Sequence, residues 1–436
     1  MARRLNASEA NFAAAFAGLL DDKRETSADV GAVVAAILAD VRARGDVALA
    51  EYTARFDRLT LTPERFRLSA DDIAAQAALA SPESVAALEV AAARIGAFHE
   101  KQKPVDLRYV DEAGVELGAR WTPVTAAGLY VPGGLAAYPS SLLMNAIPAQ
   151  VAGVTRIAMT VPTPDGVINP LVMAAVQILG IDEVYRLGGA QAIAALAFGT
   201  ATIAPVDVIV GPGNAYVAAA KRQVFGSVGI DMIAGPSEIL VVADGANDPA
   251  WIAADLLSQA EHDPAAQSIL MTDDAAFADR VAAAVESQLA TLTRRDIARA
   301  SWADHGAIIV LASLDDAPAL IDRLAPEHLE LAVDDPEALF ARVRHAGAVF
   351  MGRHTPEAIG DYVAGPNHVL PTARSARFAS GLSVLDFMKR TSVIRCDLAS
   401  LARIGPAAAT LADAEGLPAH ARSVRLRLEP GAGGTE

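Results

Sequence analysis

GLYVPGG (128–134), VYRLGGAQAIAALAF (184–198) and VDVIVGPGNAYVAAAKRQV (206–224) are three copies of one local plan. A short β-rich run breaks at glycine, and an alanine-rich helical run follows. Strand Gly128–Val131 breaks at Pro132-Gly133-Gly134, with Ser140-Ser141 placed to cap the next helix. Strand Arg156–Val161 leads to a helix over Asn169–Leu179, and Val184–Leu187 to a helix ending near Phe198. Val206–Val210 breaks at Gly211-Pro212-Gly213, with Asn214 opening a helix to Val224. Strands alternating with helices predict a parallel sheet with crossover helices, because parallel strands need a long connection back.

The plan resumes after Gly235-Pro236-Ser237. Predicted strands lie near 239–242, 268–271, 308–311, 329–333 and 349–350, and predicted helices at 249–262, from Ala275 and at 316–324. Upstream, residues 1 to about 105 read as helices. Asp29 opens an apolar period through Val41 that stops near Gly45, and Ser81 precedes a long helix towards His99. Residues 108–123 read as extended. At 436 residues the chain is too long for one ordinary core. The simplest arrangement is two doubly wound α/β domains, with 126–236 inserted into the other. Ligands are then expected at the carboxyl ends of the strands, which are the glycine turns.

Composition excludes several classes. Hydrophobic residues make up 53% and charged residues 20%, as in a packed globular protein. Thirty-six basic against 52 acidic side chains give −16, so nothing in bulk neutralises a nucleic acid or an anionic membrane. No run is apolar enough to span a membrane. Phe12–Leu20 imitates a signal peptide, but Asp21-Asp22-Lys23-Arg24 stands where a cleavage site belongs, so an amphipathic surface helix is expected. One cysteine, Cys396, makes neither an internal disulfide nor a thiolate metal site and fits a reducing, cytoplasmic setting. With no base beside it, a semi-buried structural thiol is expected.

The polar residues with chemical potential are few. Gln259 and His262, three apart at a helix end, share a face. Glu327-His328 precede an alternating strand; strand neighbours point to opposite faces, so a shared site needs the bend at its mouth. An imidazole beside a carboxylate suits acid–base work. Asp361 follows Gly360 in a predicted loop, and His368 follows Gly365-Pro366-Asn367. Glu415 and His420 precede Ser423–Leu428, whose alternation reads as a two-faced strand in a tail that docks on something. Each has an ordinary reading as a turn residue or a solvated end. Together His262, His420, Asp361 and Gln259 form a mixed N/O set suited to zinc, although spacing does not bring them together. No strand is followed by G-x-G-x-x-G with an acidic residue about 20 positions later. The turns fit a phosphate or nucleotide, or plain tight turns.

Longer blocks resemble the histidinol dehydrogenase family: YVPGGLAAYPSSLLMNAIPAQVAGV (130–154), GGAQAIAALAFGT (188–200), GPGNAYVAAAKRQV (211–224), AGPSEILVVAD (234–244), LLSQAEHDPAAQ (256–267), APEHLEL (325–331), GDYVAGPNHVLPT (360–372), GLSVLDFMKRTSV (381–393) and EGLPAHARSV (415–424). The resemblance implies two incomplete Rossmann-like doubly wound domains, an N-terminal helical segment and a C-terminal dimerisation tail. The boundaries expected are 1–125 (the helical segment and the start of the first domain), 126–236 (the inserted domain), 237–381 (the first domain continued) and 382–436 (the tail). It implies a homodimeric, NAD- and zinc-dependent enzyme that oxidises L-histidinol to L-histidine through an aldehyde. Gln259, His262, Asp361 and His420 match the family's zinc ligands, and Glu327 and His328 its acid–base pair. Ser237, His368 and Glu415 match positions around the substrate, which Gln259, His262, His328, Asp361 and His420 also face. Tyr130, Gln191 and Asn214 match cofactor positions. The tail, with Glu415 and His420, is implied to complete the partner subunit's site. A zinc hydrolase using Glu327 to activate water is the contrasting reading of the same residues.

Overall fold

The computed structural model describes residues 2–21, 29–133, 138–233 and 235–429. The predicted turn residue Gly134, the charged run 22–24 and the tail 431–436 lie outside them. The chain forms two compact units, one of Met1–Gln102 with Thr125–Phe387 and one of Lys103–Val124 with Met388–Glu436.

In the first unit the three opening motifs build a five-stranded parallel sheet. Its order is Glu183–Tyr185, Arg156–Thr160, Ala126–Tyr130, Val208–Val210, Gly229–Ile230. The central strand Ala126–Tyr130 is buried along its whole length, as a strand covered on both faces must be. Helices Pro170–Leu179 and Ala215–Val224 start where predicted. Asn169 and Asn214 accept hydrogen bonds from two first-turn amides each, satisfying donors that no helix can satisfy itself. Ser140 and Ser141 do not cap the helix Pro139–Ala152. They lie inside its first turn because Pro139 starts it one residue earlier.

The other sheet is six-stranded and parallel, ordered Arg3–Asn6, Ala307–Val310, Gln267–Thr272, Glu238–Ala243, His328–Ala332, Ala348–Met351. Its first strand corrects the all-helical expectation for the N-terminal segment. Four residues, RRLN, carry too little pattern to read as a strand, and only pairing with Ala307–Val310 makes them one. Helix Phe12–Leu20 then packs Phe16 and Leu19 into the apolar cluster on that sheet. Asp361 is not in a loop either. It sits in the short helix Glu357–Tyr362, where Gly360 lets the backbone approach the Phe350 ring, which an added Cβ would meet at 2.5 Å.

The second unit has a three-stranded antiparallel sheet, ordered Met388–Arg395, Glu116–Pro123, Leu107–Val110. Two helices follow, Leu398–Ala414 and Pro418–Leu428. The latter replaces the strand expected over Ser423–Leu428. Val424 and Leu428 are four apart and both face Gly405 of the preceding helix, while Leu426 is exposed. Over six residues such spacing fits period 3.6 as well as period 2, and Pro418 in the first turn favours the helix. Arg425 pairs with Asp413 across the turn. Cys396 is exposed, not semi-buried.

Candidate active site

A cavity of about 1100 Å³ in the first unit brings edges of the two parallel sheets to one space. From the five-stranded sheet come the carboxyl-end turns, including Pro132-Gly133 and Pro212-Gly213-Asn214. From the six-stranded sheet come strand beginnings. Ser237 precedes Glu238–Ala243, and Glu327 precedes His328–Ala332. The carboxyl-end expectation therefore applies to one sheet only. Helix Pro249–Ala260 follows strand Glu238–Ala243 and crosses back, so its own end carries Gln259 to those strand beginnings.

Glu327 and His328 are both buried and clasp the same residue from two sides. A Glu327 carboxylate oxygen accepts the Glu238 backbone N–H at 2.8 Å, and His328 Nδ1 lies 3.0 Å from the Glu238 carbonyl. A carbonyl only accepts, so Nδ1 carries the proton in that bond and Nε2 keeps its lone pair. Nε2 is buried with no hydrogen-bond partner, 3.8 Å from Asp361 Oδ1. Burial is the main influence on this ring and holds its pKa below the ordinary histidine value, against the opposing pull of Asp361. His328 is a neutral base among the residues that line the cavity.

Sequence reading missed the residues behind it. Glu357 is 2% exposed, and its Oε1 lies 3.3 Å from His328 Nδ1 without a hydrogen bond. Desolvation, and then the charges of Asp361, Glu330 and Glu327, push its carboxyl well above the usual range. Glu330 accepts the Glu357 backbone N–H at 2.6 Å. Burial and its neighbour Asp255 raise Glu330 strongly, and burial pushes Asp255 up to about 6. One legible signal was available: Glu357 and Asp361 are four apart, the spacing of a shared helical face. In the sequence Ser141 reads only as a cap, yet its Oγ lies 3.2 Å from His368 Nε2. His368 Nδ1 meets the Asp361 carbonyl at 2.8 Å, which makes Nε2 the acceptor from the serine. Burial lowers the His368 pKa as well.

The metal-ligand candidates divide. Gln259 is 1% exposed with its carboxamide oxygen unpartnered, an uncommon state for a buried acceptor and one that a cation relieves. His262 lies two residues past the helix end and is exposed, its amide bonded to the Gln259 carbonyl at 3.2 Å. Asp361 lines the same cavity. His420 and Glu415 belong to the second unit. Geometry also gathers a set that spacing did not suggest: atoms of His328, Glu357 and Asp361 lie within 4.8 Å of one another. Massed carboxylates around a neutral imidazole call for a proton or a cation, so the donor chemistry fits a divalent metal.

Of the cofactor candidates, Tyr130 and Asn214 line the same cavity and Gln191 does not; Tyr130 is buried and its hydroxyl accepts the Gly189 N–H at 3.1 Å. Burial pushes that phenol up to about 12. Gln191 is 1% exposed with Oε1 unpartnered. Asn214 spends its side-chain oxygen on the helix cap.

Parallel sheets sharing a cavity that holds a neutral imidazole base, buried carboxyls and glycine turns define an α/β protein equipped for acid–base chemistry. A family profile described as histidinol dehydrogenase matches residues 20–428. The histidinol dehydrogenase of Rhodospirillum rubrum is 68% identical over 432 residues, covering 99% of this chain and 100% of that one. That of Ruegeria pomeroyi is 66% identical over 430 residues, covering 98% and 99%. The crystal structure of histidinol dehydrogenase from Elizabethkingia anophelis superimposes with a TM-score of 0.93 at 38% identity, covering 98% of each chain. The chain belongs to the histidinol dehydrogenase family, and is an oxidoreductase with Rossmann-like α/β architecture.

Proposed function

We propose that this protein oxidises L-histidinol to L-histidine, the last step of histidine biosynthesis, through a bound aldehyde and two successive hydride transfers to NAD. The observation that carries the reading is His328, which lines the cavity with its proton held on Nδ1 by the Glu238 carbonyl and Nε2 left as a bare acceptor. Gln259, His262 and Asp361, with the partner subunit's His420, would hold zinc. The orphaned Gln259 oxygen supports that set. When bound, zinc polarises the substrate oxygen and NAD accepts hydride.

His328 Nε2 takes the hydroxyl proton as the carbinol hydrogen departs with its electron pair. Glu327, fixed by the Glu238 amide, then takes a proton from the water that adds to the aldehyde. Protonated His328 gives its proton to the aldehyde oxygen as the water adds, which leaves a hydrate and a neutral ring, and Nε2 then takes a hydroxyl proton again as the hydrate loses its second hydride to become the acid. Ser237, His368 and Glu415 position the substrate, and Tyr130, Gln191 and Asn214 bound the nicotinamide cofactor's place.

A second metal reading, His328 with Glu357 and Asp361, is favoured by their mutual proximity. It would remove His328 as the base, so the zinc content of a His328 variant separates the two. We assign the working form as a cytoplasmic homodimer in which the tail completes the partner's site. Support comes from the second unit, where Val105, Val110, Ile394, Leu398 and Leu411 are 64–85% exposed, more apolar surface than such a unit leaves to water without reason. Among the described residues no helix is long and apolar enough to cross a membrane.

The test is to offer purified protein NAD with L-histidinol or with a simple primary alcohol. NADH from histidinol alone supports the reading. Equal rates with both, or none with histidinol by folded, zinc-loaded protein, contradict it.

A further inference from the structure

Among the described residues, the best-buried ion pair of the first unit lies outside the chemistry described above. Lys221 and Asp231 form a salt bridge with side chains 3% and 1% exposed. Burying two charges costs several kcal/mol unless further hydrogen bonds compensate. Here both spend those bonds on a single residue. Lys221 Nζ donates to the Gly211 carbonyl at 2.9 Å, and Asp231 accepts the Gly211 N–H at 2.9 Å. Gly211 has φ +114°, and a Cβ there would stand 2.2 Å from the Tyr130 carbonyl oxygen, so only glycine fits. The clamp thus sets both peptide groups of the residue that starts the Gly211-Pro212-Gly213 turn. Its members come from the helix after the turn and from the end of the neighbouring strand Gly229–Ile230. The turn's next residues, Pro212, Gly213 and Asn214, line the cavity, whereas neither charge is spent there.

We propose that Lys221 and Asp231 are positioning residues for the dinucleotide, holding the 211–214 turn in the one backbone conformation that admits it. The inference rests on the reading that NAD binds at these turns. A charge pair suits the task better than apolar packing because it dictates where one carbonyl and one amide point. Apolar contacts specify volume and leave those directions open.

The experiment uses the full-length zinc-loaded enzyme. The double variant Lys221→Met/Asp231→Asn removes both charges at similar volume, and Asp231→Asn alone keeps an acceptor for Gly211 if the double variant does not fold. Lys221→Arg retains the charge. NAD and histidinol affinities are measured separately by calorimetric titration, with amide hydrogen exchange of the 206–216 segment alongside. In the double variant NAD should weaken about tenfold, histidinol should stay within about twofold, and exchange at Gly211 should accelerate. Asp231→Asn should move the same way by less, and Lys221→Arg should restore most of the NAD affinity. Unchanged NAD affinity in a folded variant overturns the proposal, and so does an equal loss of both affinities, which marks a purely structural pair. If the unsubstituted enzyme binds no NAD while its Gly211 amide is slow to exchange, the cofactor reading fails and the clamp is structural only.

Discussion

His328 draws its character from three neighbours. The Glu238 carbonyl fixes its proton on Nδ1, burial keeps it neutral, and Asp361 stands opposite the free nitrogen. As a base it should be dispensable for metal retention. His328→Asn is expected to keep its zinc, read by metal analysis, while both oxidations slow by about a hundredfold or more. Loss of zinc would favour the His328–Glu357–Asp361 set. Asp255 offers a separate test through stability. Its folded pKa of about 6 exceeds the unfolded value near 4, so the folded state binds the extra proton between those values. The stabilisation that proton brings is full below about pH 4 and is lost as pH rises through 6. Asp255→Asn should therefore stabilise the protein at pH 8, by on the order of 2 kcal/mol, and change little at pH 4. Urea titrations at the two pH values check this. Equal effects at both would show that Asp255 does not take up the extra proton on folding. At this scale Glu327, His328 and Asp361 were legible as residue types in suggestive places, Glu357 only through its four-residue spacing from Asp361, and Asp255 not at all. A lone carboxylate in a helix looks solvated until tertiary packing buries it.

Glycine turns made the elements legible. Each strand of the five-stranded sheet that ends in glycine is followed by a helix near the predicted position, because a parallel strand must leave the sheet by a tight turn into a crossover. Misreadings came where fewer than about seven residues carried the pattern. RRLN needed its partner strand, and the tail's Val424, Leu426 and Leu428 fit two periods until Gly405 selected one. Asn214 shows an element and a site drawing on one side chain. Its oxygen caps the helix Ala215–Val224, so Asn214→Ala should lower stability by about 1 kcal/mol in addition to any loss of NAD affinity. Asn214→Asp should retain the cap. An unchanged urea midpoint for the alanine variant would contradict the capping role.

At the scale of the whole molecule, the first unit holds the base, the carboxyls and the turns, while His420 and Glu415 reside in the second. No periodicity could tell whose site they serve. If the tail crosses between subunits, a mixed dimer of one His420→Asn chain and one His328→Asn chain has one site with both lesions and one with neither. Roughly half the activity of the unsubstituted dimer should then survive, whereas a tail serving its own subunit leaves a lesion in each site and little activity. Steady-state assay of the purified mixed dimer decides.

The four-electron oxidation proposed for one zinc-dependent site is decided by counting NADH against a limiting, known amount of L-histidinol, before and after metal chelation. Two NADH per histidinol are expected, abolished by the chelator and restored by zinc. One NADH per histidinol with released aldehyde, or turnover indifferent to chelation, would contradict the proposal.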